Sequence, residues 1–570
     1  MNWTIKLSPE ISDELKSISL NPITLRLLLQ RGFFSKESIE KFLNSRYENL
    51  HPPNDLKGVS EAVERIEESR KNSESIVIFG DYDADGITST VLLKETLEEL
   101  GLSPRTYIPD RNKEGYGLNK YALDFIKKEY SPKLLITVDC GISNEKEIAY
   151  ARNLDVEVIV IDHHSLPKKL PADCILINPK LPGQKYPFRD LAGVGVVFKV
   201  CQALWGKKLA EKMDQLKWFL DLVVIGTVAD CVPLVDENRI LAKFGLIVLQ
   251  KTKRLGVQEI IRTARLGIGD KNPPSVENIA FQIGPRLNAA GRMDHADITL
   301  NLLSEKDPAK ARLTALELES KNSQRQKMTQ EIYEEVKATL DEGRNYNLII
   351  RKGKNWPIGV LGIVAGKIAE EYHCPTFVLR DGEELIEGSG RSIDVFNLIE
   401  AVGQLDDLLE KYGGHSQAMG IKMRPKNLER FERDLQKIIE KSYDKDSWGK
   451  QVHVDAEIEA KEIDWDIISE VKKFEPFGEG NHEPVFLTKN LIIQEINAVG
   501  NEQKHLKFIF GAPDAQTKIF KGIFFGGGEK FPEFTSGDKV SVVYNMRSSE
   551  WNGNREIEMR IIDIRKNEQN

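Results

Sequence analysis

The chain has 570 residues, 40% hydrophobic and 29% charged, with a formal net charge of −8. These values suit several globular domains and exclude a protein that coats nucleic acid through an all-round basic surface. A local basic channel is still allowed, because a ligand meets only the local field.

No apolar run is long enough to span a bilayer, and the opening MNWTIKLSPE lacks the basic-then-apolar pattern of a secretory leader. The five cysteines, Cys140, Cys174, Cys201, Cys231 and Cys374, form no CxxC pair. Neither a structural zinc site nor a disulfide framework is expected, and a reducing cytoplasm fits.

The first fifty residues predict short helices, in ITLRLLLQRGF and SKESIEKFLN, closed by the proline-rich break HPPNDLKG. A strand–helix rhythm follows. SIVIF predicts a strand and TSTVLLKETLEELG a helix closed by Gly101. PKLLITVD and VEVIVID predict two more strands, apolar on both faces as in a parallel sheet covered by helices. WFLDLVVIGTVAD predicts an apolar helix. Asp307 and Pro308 read as the N-cap and first-turn proline of a long polar helix reaching Gly343, a connector between domains.

A second strand–helix region follows, with NYNLIIR and PTFVLR as strands and IGVLGIVAGKIAEEY as a helix. Past about residue 485 the chain turns to alternating strands with Gly and Asn turns, a small barrel or sandwich.

The expected class is α/β, with an N-terminal helical segment (1–50), a parallel-sheet catalytic domain (51–303), a connecting helix (304–344), a smaller α/β substrate-binding domain (345–445) and a β-rich, OB-like domain (446–570).

The chemistry concentrates at the predicted strand ends. IFGDYDADG carries Asp81, Asp83 and Asp85 at alternate positions, which share one side if strand geometry persists. ITVDCG places Asp139 at a second strand end, VIVIDHH places Asp162, His163 and His164 at a third, and TVADCVPL places Asp230 at the end of a helix. In open α/β sheets ligands bind beyond the carboxyl ends of the strands. Any one of these aspartates could be an ordinary cap or turn residue, and DADG lacks the bidentate glutamate of a calcium loop.

Together they read as a cation site. Buried like charges cannot all ionise in low dielectric. Two divalent ions, Mn²⁺ or Mg²⁺, would resolve that cost and form a clamp, about 3.5–4 Å apart, for in-line displacement at phosphorus.

DYDADG, VDCG, DHH and ADCVPL resemble the four motifs of the DHH phosphoesterase superfamily, and GGHSQAMG (413–420) resembles the signature of its DHHA1 domain. With the terminal β-domain, the order resembles the branch that degrades single-stranded DNA exonucleolytically from its 5′ end. The resemblance implies Asp83, Asp85, Asp139, His163 and Asp230 as metal ligands and Asp81 as a ligand or near neighbour. It puts His164 at the scissile phosphate or a metal-bound water and has Asp162 orienting a histidine. Some relatives carry a histidine where this chain has Phe79, so that ligand is missing.

The same resemblance points to Arg111, Arg286, Asn288, Arg292, Ser389, Arg391 and His415 as substrate-binding groups, with Arg111, Ser389 and Arg391 at a 5′-terminal phosphate. Arg286, Asn288 and Arg292 fall in what reads as a small-residue loop, QIGPRLNAAGRMDHA. For GGHSQ, a helix C-cap at Gly413–Gly414 is the plainer alternative. A glycine-rich helix start at NWPIGVLG offers a further phosphate site. Pro357 stands there where relatives often have histidine. In the β-domain, Phe508, Phe510, Phe525, Tyr544 and Trp551, with interleaved Lys and Arg, are candidate stacking groups for single strands.

The reading is a two-metal exonuclease on single-stranded DNA, in repair and recombination. A channel between the two α/β domains, its width set by the long helix, would exclude duplex. A helicase, a single-strand-binding protein and a monomeric state are expected. The rival readings are a phosphodiesterase on oligoribonucleotides or cyclic dinucleotides and a non-catalytic replication scaffold.

Overall fold

The computed structural model describes residues 2–7, 9–111, 113–267, 273–293, 295–341, 344–442, 448, 451–512, 518–551 and 554–567. The chain forms two compact units, one of residues 49–449 and one of residues 1–48 with 450–570.

The larger unit is built on β1 (Ile76–Gly80), α1 (Ala84–Glu99), β2 (Arg105–Tyr107), β3 (Leu134–Val138), β4 (Glu157–Ile161) and β5 (Ile175–Ile177). The sheet runs β2-β1-β3-β4-β5 with every pair parallel. β1 and β3 are buried along their whole length, as apolar strands covered on both faces must be. Helices α2 (Gly193–Lys208) and α3 (Leu220–Ala229) pack against α1 and each other.

The stretch QIGPRLNAAGRM is a helix, which corrects the expected loop. Ile279–Ile283 makes a π turn that passes into α4 (Gly284–Met293). The Gly284 N–H donates to Ile279 O, a five-residue step, so Pro285, with no N–H, sits where the helix changes register. The small residues serve close packing instead of a turn: a Cβ on Gly291 would meet Tyr82 O at 2.7 Å.

The connecting helix α5 (Pro308–Lys337) is capped by Asp307, whose side chain accepts from Ala309 N and Lys310 N. It ends at Lys337, six residues before the expected Gly343, which lies outside the described residues. Ala311, Ala315, Leu318, Asn322, Thr329, Ile332 and Val336 are its buried stripe, at three- and four-residue spacing or its sum.

Beyond it lie β6 (Ile349–Gly353), α6 (Ile358–Tyr372), β7 (Thr376–Asp381), β8 (Ile386–Arg391), β9 (Lys411–Gly414) and β10 (Ala418–Met423). Their sheet runs β9-β10-β8-β7-β6, parallel only between β6 and β7. GGHSQAMG is therefore the turn of a hairpin, not a helix C-cap. Gly414 takes φ 145°, and a Cβ there would meet Ala418 O at 2.2 Å, so the hairpin closes tightly only with glycine.

In the smaller unit, β11 (Val485–Val499), β12 (His505–Gly511), β13 (Ile519–Phe524), β14 (Lys539–Trp551) and β15 (Asn554–Lys566) run β11-β12-β13-β15-β14. β14 pairs back to β11, which closes the barrel. The N-terminal strand Asn2–Ile5 pairs in parallel with Gln451–Val454. Leu27, Leu28, Ile39 and Phe42 share one apolar core with Phe474, Phe486, Phe508 and Tyr544 of the C-terminal region. Phe508, Phe510 and Tyr544 are thus core residues and not stacking platforms, while Phe525 is exposed. The side chain of Trp551 lies outside the described residues.

Candidate metal centre

The three sheet-end motifs converge in the larger unit. Strand β1 stops at Gly80, and Asp83 is the N-cap of α1, its Oδ1 accepting from Asp85 N and Gly86 N at 3.0 Å each. Strand geometry therefore does not persist through DYDADG. Capping turns the chain, so Asp81 follows a strand, Asp83 sits at the turn and Asp85 lies in the first helical turn. The three still reach one site. Asp81, Asp83 and Asp139 bring ligand atoms within 4.8 Å of one another, as do Asp85, His163 and Asp230, and Asp139, His163 and His164.

His163 is the hub. Its Nε2 lies 3.2 Å from Asp139 Oδ1, 3.4 Å from Asp230 Oδ2 and 4.0 Å from Asp85 Oδ2. The ring sits with Nε2 toward the carboxylates. Burial and the neighbouring His164 charge push His163 down to about 3, so it is the neutral imidazole a metal requires.

His164 is its opposite. Burial works against its charge, but the Asp162 carboxylate, 2.7 Å from Nδ1, lifts it to about 9. Asp162 is buried, yet the His164 contact and backbone donors from Ile142, His163 and His164 hold it at about 2. Asp162 thus orients a histidine, and the one it holds is His164. His164 is an imidazolium beside the centre, suited to a phosphate oxygen.

The remaining carboxylates are out of balance. Burial and mutual repulsion raise Asp81, Asp139 and Asp230 well above the usual range and Asp85 to about 7. Asp85 is held rigidly by Gly193 N at 2.7 Å and Val194 N at 2.8 Å. Buried Asp81 Oδ1, Asp139 Oδ1 and His163 Nε2 have no hydrogen-bond partner among the described residues. Carboxylate oxygens and one imidazole nitrogen, buried and unsatisfied together, are the donor set of Mn²⁺ or Mg²⁺, so the residues fit such a cation. Close approach is built in: a Cβ on Gly193 would meet Asp139 Oδ1 at 2.6 Å. Phe79, in place of a possible further ligand, is buried and stacked on Tyr107.

The expected substrate groups separate into two sets. Arg111 lies over the Tyr82 ring, and Arg292 donates to Gly359 O at 3.0 Å, which brings α4 against the start of α6. Arg391 and Ser389 flank Gly362, one turn further along α6. Burial and repulsion from Arg111, Arg325 and Arg391 lower Arg292 to about 10, and burial with Arg111 lowers Arg391. These guanidiniums form one cluster. Burial, then the charges of His164 and Lys180, lower His415, so the hairpin histidine lies within electrostatic reach of those two groups. Arg286 is bound instead by Glu319 at 2.6 and 3.2 Å, and Asn288 Oδ1 accepts from Ala84 N, bracing the α1 start. Pro357 is the N-cap of α6, with no side-chain cap bond.

Two further groups were not legible in the sequence. Tyr116 OH lies 3.3 Å from both Asp139 O and His164 Nδ1, and Lys180 Nζ donates to His163 O at 2.6 Å. The only sequence signals were the EGYG turn after Arg111 and the NPK step after DHH, and neither residue type announces a metal site.

A parallel sheet whose carboxyl ends gather aspartates and histidines, followed by a second α/β region, defines a DHH-family protein with a DHHA1 domain. Family models match accordingly: the DHH family N-terminal domain at 75–227, the DHHA1 domain at 345–441 and the RecJ OB domain at 454–563. The single-stranded-DNA-specific exonuclease RecJ of Bacillus subtilis (strain 168) is 36% identical over 570 residues, covering 99% of this chain and 70% of the relative. That of Escherichia coli (strain K12) is 30% identical over 586 residues, covering 99% and 100%. The chain belongs to the RecJ family. The crystal structure of RecJ in complex with Mn²⁺ from Thermus thermophilus superposes with a TM-score of 0.84 at 27% identity, covering 100% of this chain and 80% of that one.

Proposed function

We propose that this protein is a metal-dependent exonuclease that degrades single-stranded DNA from the 5′ end to 5′-mononucleotides. The carrying observation is the juxtaposition, within one unit, of the buried carboxylate–imidazole centre and a guanidinium cluster beside it. The family's curated members, named as single-stranded-DNA-specific exonucleases, support the activity.

Asp83, Asp85, Asp139, His163 and Asp230, with Asp81 beside them, would hold two ions, Mn²⁺ or Mg²⁺. When bound, the ions polarise the scissile phosphate and acidify the attacking water. His164 presents its Nε2–H edge to a phosphate oxygen, while Asp162 accepts from Nδ1–H and holds the ring in place. Arg111, Ser389 and Arg391 grip the terminal phosphate, with Arg292 next to them, through forks suited to phosphate oxygens. A strand anchored by its 5′-terminal phosphate in the same unit as the metal centre would be cut from that end, which accords with exonucleolytic, 5′-directed cutting.

On the barrel unit, Phe525 is exposed under Arg560, a pairing of aromatic face and positive charge that suits a single strand. No helix among the described residues is long and apolar enough to cross a membrane. A cytoplasmic role in repair and recombination, with a helicase and a single-strand-binding protein as partners and the chain acting as a monomer, accords with this reading.

The test is 5′-labelled single-stranded and duplex DNA incubated with Mn²⁺ or with EDTA. Labelled mononucleotide should appear from the single strand with Mn²⁺ alone. Absence of metal-dependent mononucleotide release would sink the proposal.

A further inference from the structure

Strand β4 ends at Ile161 and its neighbour β5 at Ile177, and the Asp162 N–H donates to Ile177 O at 3.0 Å just past their ladder. The two histidines that follow have no ladder partner, so their four backbone groups must be satisfied in another way. Asp162 Oδ1 accepts from both N–H groups, at 2.7 Å from His163 and 3.0 Å from His164. Both carbonyls are taken by the INPK step that leaves β5. Asn178 Nδ2 donates to His164 O at 3.0 Å, and Lys180 Nζ donates to His163 O at 2.6 Å. The step is itself braced, since Asn178 is fully buried, its Oδ1 accepts from Lys180 N at 2.8 Å and its carbonyl accepts from Gln184 Nε2 at 2.8 Å.

Lys180 is half-buried, and His163 O is the one acceptor its ammonium reaches among the described residues. A positive charge close to a cation site opposes the cation. A carbonyl that needed only a partner could take a water or a neutral donor. The charged donor is therefore a cost to the centre unless its hold on His163 matters more. Charge-assisted hydrogen bonds are roughly twice as strong as neutral ones. The residue held is the one whose Nε2 lies nearest Asp139 and Asp230.

We infer that Lys180, braced by Asn178, is a positioning residue of the metal centre: by holding the His163 carbonyl it fixes the backbone from which the imidazole reaches a cation, and so raises the affinity for Mn²⁺. The inference rests on the proposed nuclease reading and deepens it. In this role Lys180 touches neither the ion nor the strand and acts through His163.

The test is Mn²⁺ binding to the full chain without DNA, followed by the electron paramagnetic resonance signal of free Mn²⁺. Lys180→Met removes both the charge and the donor. Loss of the charge alone would tighten Mn²⁺ binding, so the sign of the change separates the two effects. Binding should weaken about tenfold, the lower end for losing a group that orients a metal ligand. Lys180→Arg, which restores a charged donor, should return towards the wild-type affinity. On labelled single strands, Lys180→Met should need more Mn²⁺ for half-maximal cleavage, the change falling on that concentration more than on the saturated rate. Melting by circular dichroism in EDTA checks folding. A merely structural role would lower that melting temperature and leave the Mn²⁺ affinity of the folded chain unchanged. Should Lys180→Met unfold, Lys180→Gln, one atom shorter, is read instead, with weakening of the same sign. A folded variant that binds Mn²⁺ as tightly as the wild type, or more tightly, overturns the inference. Failure of the wild-type chain to bind Mn²⁺ would instead contradict the metal-dependent nuclease reading.

Discussion

Asp139 shows how a single side chain sets the behaviour of the centre. It leaves β3 with φ 59°, in the left-handed region, and its carboxylate sits buried among Asp85, Asp83, Asp230 and Asp81, all of which raise it further after burial itself. Asparagine accepts that backbone conformation and removes the charge. In EDTA, Asp139→Asn should therefore melt above the wild type, by a stabilisation on the order of 1 kcal/mol from relieved repulsion. Added Mn²⁺ should raise the melting temperature of the wild type and leave the variant nearly unmoved. An equal Mn²⁺ response in both would remove Asp139 from the ligand set. Gly193→Ala makes the complementary case, since its Cβ would displace the Asp139 carboxylate from 2.6 Å. Cleavage should fall at least tenfold, read as initial rate on labelled single strands, while circular dichroism stays native. The ligand types were legible in the sequence because Asp and His cluster at predicted strand ends. Tyr116 and Lys180 were not, because their roles depend on where a turn and a loop fold back onto the DHH segment.

At the scale of elements, local signals carried furthest where capping and periodicity agreed. Asp307 and Pro308 mark the start of α5 as expected, and the cap bonds to Ala309 N and Lys310 N are present. Asp307→Ala should cost about 1 kcal/mol in a denaturant melt and leave the cleavage rate unchanged. A cost near zero would mean that packing of the buried stripe alone holds the helix. Local signals failed at α4, where Pro285 and a run of small residues read as a loop. The competing principle was a π turn, which absorbs a proline that an α-helix would reject, and no composition reveals that register. The alternation of Asp81, Asp83 and Asp85 misled in a similar way. A period of two suggests a strand, but Asp83 as an N-cap ends strand geometry while keeping the three carboxylates close.

For the whole molecule, the order of a parallel-sheet domain, long helix, second α/β region and β-barrel was visible in the sequence. The partnership of the two chain ends was not. Residues 1–48 form one compact unit with residues 450–570, through a parallel strand pair and a common core. Such pairing joins residues some 450 apart, beyond the reach of any local pattern. A chain beginning at residue 49 should expose Phe474 and Phe486, and its barrel region should be cleaved by protease well before residues 49–449. Equal protease resistance in the full and shortened chains would contradict this shared core. The central claim concerns the larger unit and is best tested crystallographically. Anomalous scattering at the manganese edge, from crystals grown with Mn²⁺, should show density enclosed by Asp83, Asp85, Asp139, His163 and Asp230. Density elsewhere, or none at these residues, would contradict the account.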